Sequence, residues 1–435
     1  MTPSGRAIVP ASWALYDFAN TIFSFAIVSG AIGLYLVNDR QFGERDGNFL
    51  LSLAIVASVG LNAIVSPVLG AISDRAGRRL PFLFVFTAVC IGTTFVIADV
   101  PPVVGLVLFV VANFAYQAAL IYYDATLKTV SLPESRGRLS GLGTAIGYCG
   151  TVTVGLLIFL LDVPVEDRFR LSALLFLVFA IPIFVFVREP PVPGATRLTA
   201  TDVIASFGQL RVSIAHAREV PGLGRFLVGR FFYSDAVNTV IVVMSVVTVK
   251  VLGVSEAMAN VILLSLTLVA IAMSFVWGVL CDRQGPKRTL VMVLISWAVG
   301  LLIGGIALGF GPSGLVPFLV AGAILGSGLG GVQVADRVLM VRLAPPERLG
   351  EFFGLYGLVG KGSQVIGQLL YGATIFALLG PLGFAAYQVA VLSLLVTMAI
   401  GLWLIWPVRD DWVGSGEVAG SNGSSVLGSV GSRGD

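Results

Sequence analysis

Charge is scarce in this sequence. Asp, Glu, Lys and Arg make up 12% of its 435 residues, about half the share of an ordinary soluble domain. Hydrophobic residues make up 57%, and the mean hydropathy is +0.95. That composition argues against a water-soluble enzyme of this length. Cysteine is nearly missing. Cys90, Cys149 and Cys281 are odd in number and never in CxxC spacing, so neither a disulfide framework nor a zinc site is expected. The single histidine, His216, leaves no material for a His-based triad, a haem site or a metal cluster. P-loop, GxSxG and paired-glycine dinucleotide motifs are missing too, so no cofactor and no enzymatic step are expected. The net charge of +3 is too small a bias to point to nucleic acid.

What the chain has instead is apolar length. Runs able to cross a bilayer fall at about 12–37, 49–72, 80–98, 102–127, 139–161, 171–188, 223–250, 258–280, 289–310, 314–341, 350–378 and 383–407. The N-terminal run contains Asp17 and lacks a small-residue cleavage site, so it reads as a retained span. The expectation is an all-α polytopic membrane protein with twelve transmembrane helices in two six-helix bundles, 1–188 and 223–412. Between them lies a linker, 189–222, that opens on Glu189-Pro190-Pro191. It offers Val203, Phe207, Leu210 and Ile214 opposite Arg211 and Arg218, the pattern of a short amphipathic helix on the membrane surface. The Gly- and Ser-rich tail, 413–435, is expected to be disordered.

With the N-terminus inside, 21 of the 27 Lys and Arg fall on the cytoplasmic side and five outside, leaving Lys361 within a span. That asymmetry fixes the orientation and predicts a multi-pass plasma membrane protein with both termini cytoplasmic. Trp13, Trp403, Trp406 and Trp412 read as interface anchors.

The two halves echo one another. Gly70-Ala71-Ile72-Ser73-Asp74-Arg75-Ala76-Gly77-Arg78-Arg79 follows the second span, and Gly278-Val279-Leu280-Cys281-Asp282-Arg283-Gln284-Gly285-Pro286-Lys287-Arg288 follows the eighth, 208 residues later. Asp17, Asn20 and Thr21 match Asp235, Asn238 and Thr239 at an offset of 218, and Pro133-Glu134-x-x-Gly137-x-x-x-Gly141 matches Pro346-Glu347-x-x-Gly350-x-x-x-Gly354 at 213. The Asp-Arg loops have a readable physics. Gly allows a tight turn, the Asp can cap a neighbouring helix or pair with an Arg, and the basic cluster faces anionic lipid. Gly70, Asp74, Arg75, Gly77, Arg78, Arg79, Asp282, Arg283, Gly285 and Arg288 are therefore the candidate gating residues, with a plain topology anchor as the alternative.

A parallel six-plus-six repeat with this loop motif resembles the major facilitator superfamily, whose two bundles rock about a central site. Three segments narrow the resemblance. These are Ser12-Trp13-Ala14-Leu15-Tyr16-Asp17-Phe18-Ala19-Asn20, Arg136-Gly137-Arg138-Leu139-Ser140-Gly141-Leu142-Gly143, and the stretch from Glu351-Phe352-Phe353 to Gly360-Lys361. They are similar to the branch once labelled "unknown major facilitator", related to the yeast vacuolar amino-acid effluxer. Tyr122-Tyr123-Asp124-Ala125 departs from that pattern, where an Asn is expected in place of the aspartate. The resemblance implies a secondary transporter of small solutes, amino acids or similar metabolites, working by alternating access. A proton or sodium ion is the candidate coupling partner, and the lipid bilayer is the other. A non-transporting receptor or regulator, or a lipid flippase on the same fold, is the alternative.

Ionisable side chains inside spans are costly and usually face a cavity or a partner. Asp17, Asn20, Thr21 and Ser24 share one face of span one, and Asp235, Asn238 and Thr239 repeat the pattern in span seven. Asn113 and Gln117 lie on span four, where Asp124 and Lys128 read as an interfacial i, i+4 pair. Lys361 lies about 11 residues into span eleven, about 16 Å deep, with Gln364 beside it. Its repeat-mate is Tyr148. A cation at that depth can attract a substrate carboxylate or phosphate or take part in coupling; the alternative is an ion pair with Asp17 or Asp235. Asp17 and Asp235 can also simply complement a helix dipole. The substrate or coupling candidates are Asp17, Asn20, Asn113, Gln117, Asp235, Asn238, Lys361 and Gln364.

Overall fold

A computed structural model describes residues 3–38, 41–189 and 209–409. The first helix runs as α1, Pro3–Phe23, through a π-helical stretch, Ser24–Ala31, into α2, Ile32–Val37. The helices that follow in the first half are α3 (Gly43–Ala76), α4 (Leu80–Val96), α5 (Pro102–Val130), α6 (Arg136–Leu160) and α7 (Val165–Phe186). A short helix, α8 (Gln209–Glu219), precedes α9 (Leu223–Lys250), α10 (Glu256–Gln284) and α11 (Pro286–Leu308). The chain closes with α12 (Leu315–Leu343), α13 (Leu349–Leu382) and α14 (Ala385–Ile405). This is an all-α, multi-pass membrane fold. Large apolar side chains such as Phe159, Val316 and Val56 point outward, which lipid rather than water accommodates.

Ten stretches among the described residues are long and apolar enough to cross a membrane, two fewer than the twelve runs. Helices α9 and α13 are missing from that set, although they are 28 and 34 residues long. Both carry ionisable groups part-way along: Arg225, Arg230 and Asp235 in α9, Glu351 and Lys361 in α13.

Helix ends follow local chemistry. Gly77 closes α3 at φ 62° and Gly285 closes α10 at φ 91°, a region of φ that L side chains with a Cβ disfavour. These two glycines are repeat-mates, 208 residues apart. Pro286 and Pro102 open α11 and α5, where a missing N–H costs nothing. Helix α4 is capped from a distance, because Glu189 Oε2 accepts the N–H groups of Arg79 and Leu80 at 2.7 and 2.9 Å.

Within the first half, α1 packs on α6 and α7, α4 on α5 and α7, and α3 on α5; within the second, α9 packs on α13 and α14, α12 on α10 and α11, and α11 on α14. The halves meet along two main seams, α3 with α13 and α6 with α10. Helix α8 covers one end of the first seam, touching α3, α9 and α13. There His216 Nδ1 lies 3.1 Å from Glu351 Oε1. Of the amphipathic pattern expected here, Val203 and Phe207 fall outside the described residues, as do the tail 413–435 and Trp412. Trp403 and Trp406 are exposed as interface anchors would be, but Trp13 is not. It is fully buried, stacked on Tyr123 at 4.5 Å, and its Nε1 donates to Thr126 Oγ1.

Candidate functional site

The seams end in two matched latches. Asp74, at the end of α3, accepts the N–H groups of Gly350 and Glu351 at 3.0 and 2.8 Å, at the start of α13. Asp282, its repeat-mate at the end of α10, accepts those of Gly137 and Arg138 at 2.7 and 2.9 Å, at the start of α6. Each carboxylate thus caps a helix of the opposite half, where free N–H groups and the helix dipole favour an anion. The glycines permit the approach. A Cβ on Gly350 would lie 2.7 Å from the Gly70 carbonyl oxygen, and one on Gly137 would lie 2.7 Å from that of Gly278.

The arginine partners differ between the latches. Asp74 pairs with Arg79 of its own loop at 2.8 Å, whereas Asp282 pairs with Arg138 of the opposite half at 2.9 Å. Neither Arg283 nor Arg288 supplies that contact; both are exposed, as is Arg78. Arg75 lies on the last turn of α3.

Beyond the latches lies a cavity of about 450 Å³ between α1, α5 and α6 of one half and α9, α12 and α13 of the other. Asp17, Asn20, Gln117, Asn238, Lys361 and Gln364 line it. Two other candidates are turned away. Asn113 donates through Nδ2 to Ser58 Oγ at 2.7 Å, tying α5 to α3. Asp235 lies with Thr239 against Gly367 of α13, where a Cβ would collide with both side chains. The i, i+3, i+4 spacing that gathers Asp17 and Asn20 on one face does not fix that face's rotation toward the cavity, and in α9 only Asn238 of the three reaches it.

The cavity also holds charges that sequence reasoning placed elsewhere. Arg230 and Arg337 lie near helix ends and count among the 21 inner-surface cations, yet both line the cavity. Arg230 pairs with Asp336, which also accepts the Tyr356 hydroxyl at 2.8 Å. The Arg230 guanidinium stacks 3.4 Å over the Tyr356 ring. Arg337 reaches across to Asp124, Nε to Oδ1 at 3.0 Å, and to Asp17 at 3.8 Å. Asp124 therefore pairs with Arg337 rather than with Lys128. The signal was in the repeat: the 213-residue offset that relates Pro133 to Pro346 also relates Asp124 to Arg337.

Lys361 forms no ion pair with Asp17 or Asp235. Its Nζ donates to Asn62 Oδ1 of α3, and no carboxylate lies within ion-pair distance among the described residues. Asn62 is held in turn, donating to the Phe114 carbonyl at 3.2 Å and accepting Ser66 Oγ at 2.9 Å. Ser58, Asn62 and Ser66 recur every four residues along α3 and are fully buried. That stripe was the legible trace of Lys361's partner. Three cations and three carboxylates line the cavity, and Lys361 is the cation of the three with no carboxylate partner among the described residues, its ammonium held by the Asn62 amide.

Comparison with known proteins fits this geometry. The model of the family described as "Vacuole effluxer Atg22 like" matches residues 128–410, and that of the Major Facilitator Superfamily matches residues 18–228. The chain belongs to the Atg22-like vacuole effluxer family. It is a major facilitator, and thus a secondary transporter of the alternating-access type rather than an enzyme. Among its relatives, the uncharacterized MFS-type transporter YxiO of Bacillus subtilis (strain 168) is 26% identical over 427 residues, covering 92% of this chain and 94% of that one. Autophagy-related protein 22 of Coccidioides immitis (strain RS) is 28% identical over 282 residues, 58% of this chain but 45% of its own length. The chain thus spans less than half of that fungal relative.

Solved structures agree in fold. The human organic anion transporter MFSD10 (TETRAN) superposes with a TM-score of 0.71 at 16% identity, covering 93% of this chain and all of that one. A bacterial homologue of the iron transporter ferroportin, in an outward-facing state, gives 0.72 at 15% identity over 92% and 98%.

Proposed function

We propose that this Atg22-like transporter moves amino acids or similar small carboxylate-bearing metabolites, and that Lys361 binds the cargo carboxylate. The observation that carries this reading is Lys361 itself, a cavity-lining cation whose hydrogen-bond partner is a neutral amide. An unneutralised ammonium deep in a membrane protein is costly, and a cargo carboxylate supplies the missing charge through a strong, charge-assisted contact. Asp17, Asn20, Gln117, Asn238 and Gln364 supply the polar wall that orients the rest of the solute. The family description as an effluxer and the organic anions named for the human structural neighbour point the same way.

In this reading all twelve long helices span the membrane as two six-helix bundles, 1–188 and 223–412, joined by the linker 189–222. Both termini and both latches are cytoplasmic, and the membrane is the plasma membrane. With its latches closed, the protein is shut toward the cytoplasm and presents the cavity to the other side. Asp74 and Asp282 with their glycines form the inner gate, which parts when the bundles rock.

The test is uptake and counterflow of a panel of radiolabelled amino acids into proteoliposomes. Lys361→Ala is expected to abolish transport by the purified, folded protein, and unchanged transport by that variant would remove Lys361 from the binding role.

A further inference from the structure

Behind the Lys361 ammonium lies a polar stripe that cargo binding, as described so far, does not use. Ser58, Asn62 and Ser66 are fully buried along α3. Lys361 lines the cavity; Asn62 does not. Burying a side-chain amide is costly unless its polar atoms are met, and here they are. Nδ2 donates to the Phe114 carbonyl of α5 at 3.2 Å. Oδ1 accepts from Ser66 Oγ at 2.9 Å and from Lys361 Nζ. That network fixes which way the amide points. A flipped amide would turn its NH2 group on the Lys361 ammonium, a donor with no acceptor capacity.

Packing brings the ammonium to this amide. Asn62 belongs to the first half and Lys361 to the second, so their hydrogen bond crosses the α3–α13 seam. Gly354 and Gly357 precede Lys361 on α13 and lie against Ser66. A Cβ on Gly354 would overlap the Ser66 carbonyl oxygen, and one on Gly357 would stand 3.9 Å from Ser66 Oγ and 4.0 Å from Lys361 Nζ. The other cavity cations are held differently. Arg230 pairs with Asp336, and Arg337 with Asp124, its repeat-mate across the molecule's pseudo-twofold axis. Those contacts cancel charge, and the contact with Asn62 does not. An ammonium carries three N–H groups. One is given to Asn62, which leaves the others for a ligand in the cavity.

We propose that Asn62 is the positioning residue of the cargo site and sets its preference for a carboxylate. The proposal rests on the cargo reading given above. Asn62 holds the Lys361 ammonium at the cavity wall by a hydrogen bond while leaving its charge uncancelled. Other side chains at this place fail one of those two tasks. A carboxylate would hold the ammonium but neutralise it, and a cargo carboxylate would then meet like charge. An apolar side chain would leave the charge intact but the ammonium unheld, free to swing on its flexible four-carbon stem. The amide does both, and the cargo carboxylate completes the neutralisation through charge-assisted hydrogen bonds. An amine that lacks the carboxylate leaves those buried N–H groups unpaired and meets Lys361 as repulsion, which is the basis of strong discrimination.

The test compares Asn62→Asp, which keeps the shape and adds charge, with Asn62→Ser, a smaller neutral acceptor, and Asn62→Leu, which has no acceptor. The first readout is the affinity of the purified protein for the standard amino acids and for their decarboxylated amines, from ligand-induced thermal stabilisation. Asn62→Asp is expected to weaken amino-acid binding about a hundredfold and to bring amino acids and amines to equal affinity. Asn62→Ser is expected to keep the preference for amino acids, with affinity within about tenfold of wild type. A general loosening of the helices would lower both affinities together and leave their ratio alone. The second readout needs no cargo. Carbamylation by cyanate, mapped by peptide mass spectrometry, bonds Lys361 Nζ to the cyanate carbon and requires the free amine. Its rate is expected to fall about tenfold in Asn62→Asp, where a carboxylate keeps the ammonium charged, and to rise in Asn62→Leu. A preference that survives Asn62→Asp, its loss in Asn62→Ser, or one carbamylation rate in all variants would overturn the proposal. Should Asn62→Asp not fold, faster carbamylation in Asn62→Leu than in Asn62→Ser supports it and equal rates overturn it. Lost binding in Lys361→Met with unchanged binding in Asn62→Asp would keep the cargo reading and sink this one. If no amino acid stabilises the wild type while the carbamylation order holds, the cargo reading falls and the hold of Asn62 on Lys361 stands.

Discussion

The latches and the cavity are built from the same repeat and treat it in opposite ways. At the latches the two halves remain alike. Asp74 and Asp282 each cap a helix of the other half, Gly350 and Gly137 each press on a facing carbonyl, and the distances agree within 0.3 Å. In the cavity the likeness is lost. Arg230, Arg337 and Lys361 all come from the second half, and their repeat-mates in the first are Ser12, Asp124 and Tyr148. A rocking pair of bundles needs matched hinges and grips, because both seams must open and close together. A binding site for an asymmetric solute needs the reverse. Charge inversion at Asp124 and Arg337, with cations in place of the neutral Ser12 and Tyr148, turns a two-fold scaffold into a polarised site, with all three cations on one wall and two of the three carboxylates, Asp17 and Asp124, on the other.

The most damaging way to disturb this contrast is at its axis. Arg337→Asp leaves three carboxylates without their cation, and the expected loss is about 3–5 kcal/mol, read as a lowered Tm in detergent. The swap Asp124→Arg/Arg337→Asp restores opposite charge across the axis and is expected to recover most of that loss. A double variant as unstable as the single would mean that the pairing is not what stabilises this region.

The latches predict matched penalties. Gly137→Ala and Gly350→Ala each drive a methyl against a backbone oxygen, at about 1–3 kcal/mol apiece. The two should agree within the error of a thermal melt, and a clear inequality would break the likeness of the seams. Asp74→Ala and Asp282→Ala should cost less, about 0.5–2 kcal/mol each, seen as faster hydrogen exchange in the first turns of α13 and α6. The smallest stability effect is expected at Lys361. Its replacement by Met removes a poorly compensated buried cation and should leave Tm unchanged or raised.

Much of this contrast was readable in the chain, and the unread part has a common cause. Periodic hydropathy located the long helices, and the repeated Gly-x-x-x-Asp-Arg motif pointed to the capping role that Asp74 and Asp282 take. Spacing along a helix says which residues share a face but not which way that face turns, so Asp17 and Asn20 reach the cavity while Asp235 and Asn113 pack between helices. Depth was judged from distance to a helix end, which assigned Arg230 and Arg337 to the membrane surface. Both line the cavity instead. Trp13 was misplaced for the same reason, since an aromatic near a helix start reads as an anchor until its partner on α5 is known. Asn62 went unremarked because a neutral amide between two serines carries no charge to draw notice.

The central claim, that Lys361 receives a cargo carboxylate, is tested most directly by ligand-induced thermal stabilisation of the purified protein. The panel pairs each amino acid with its decarboxylated amine. Amino acids at about a hundredfold over their Kd should stabilise the wild-type protein by about 2.7 kcal/mol, the amines should not, and Lys361→Met should respond to neither. Equal stabilisation by the amines, or an undiminished response in Lys361→Met, would contradict it.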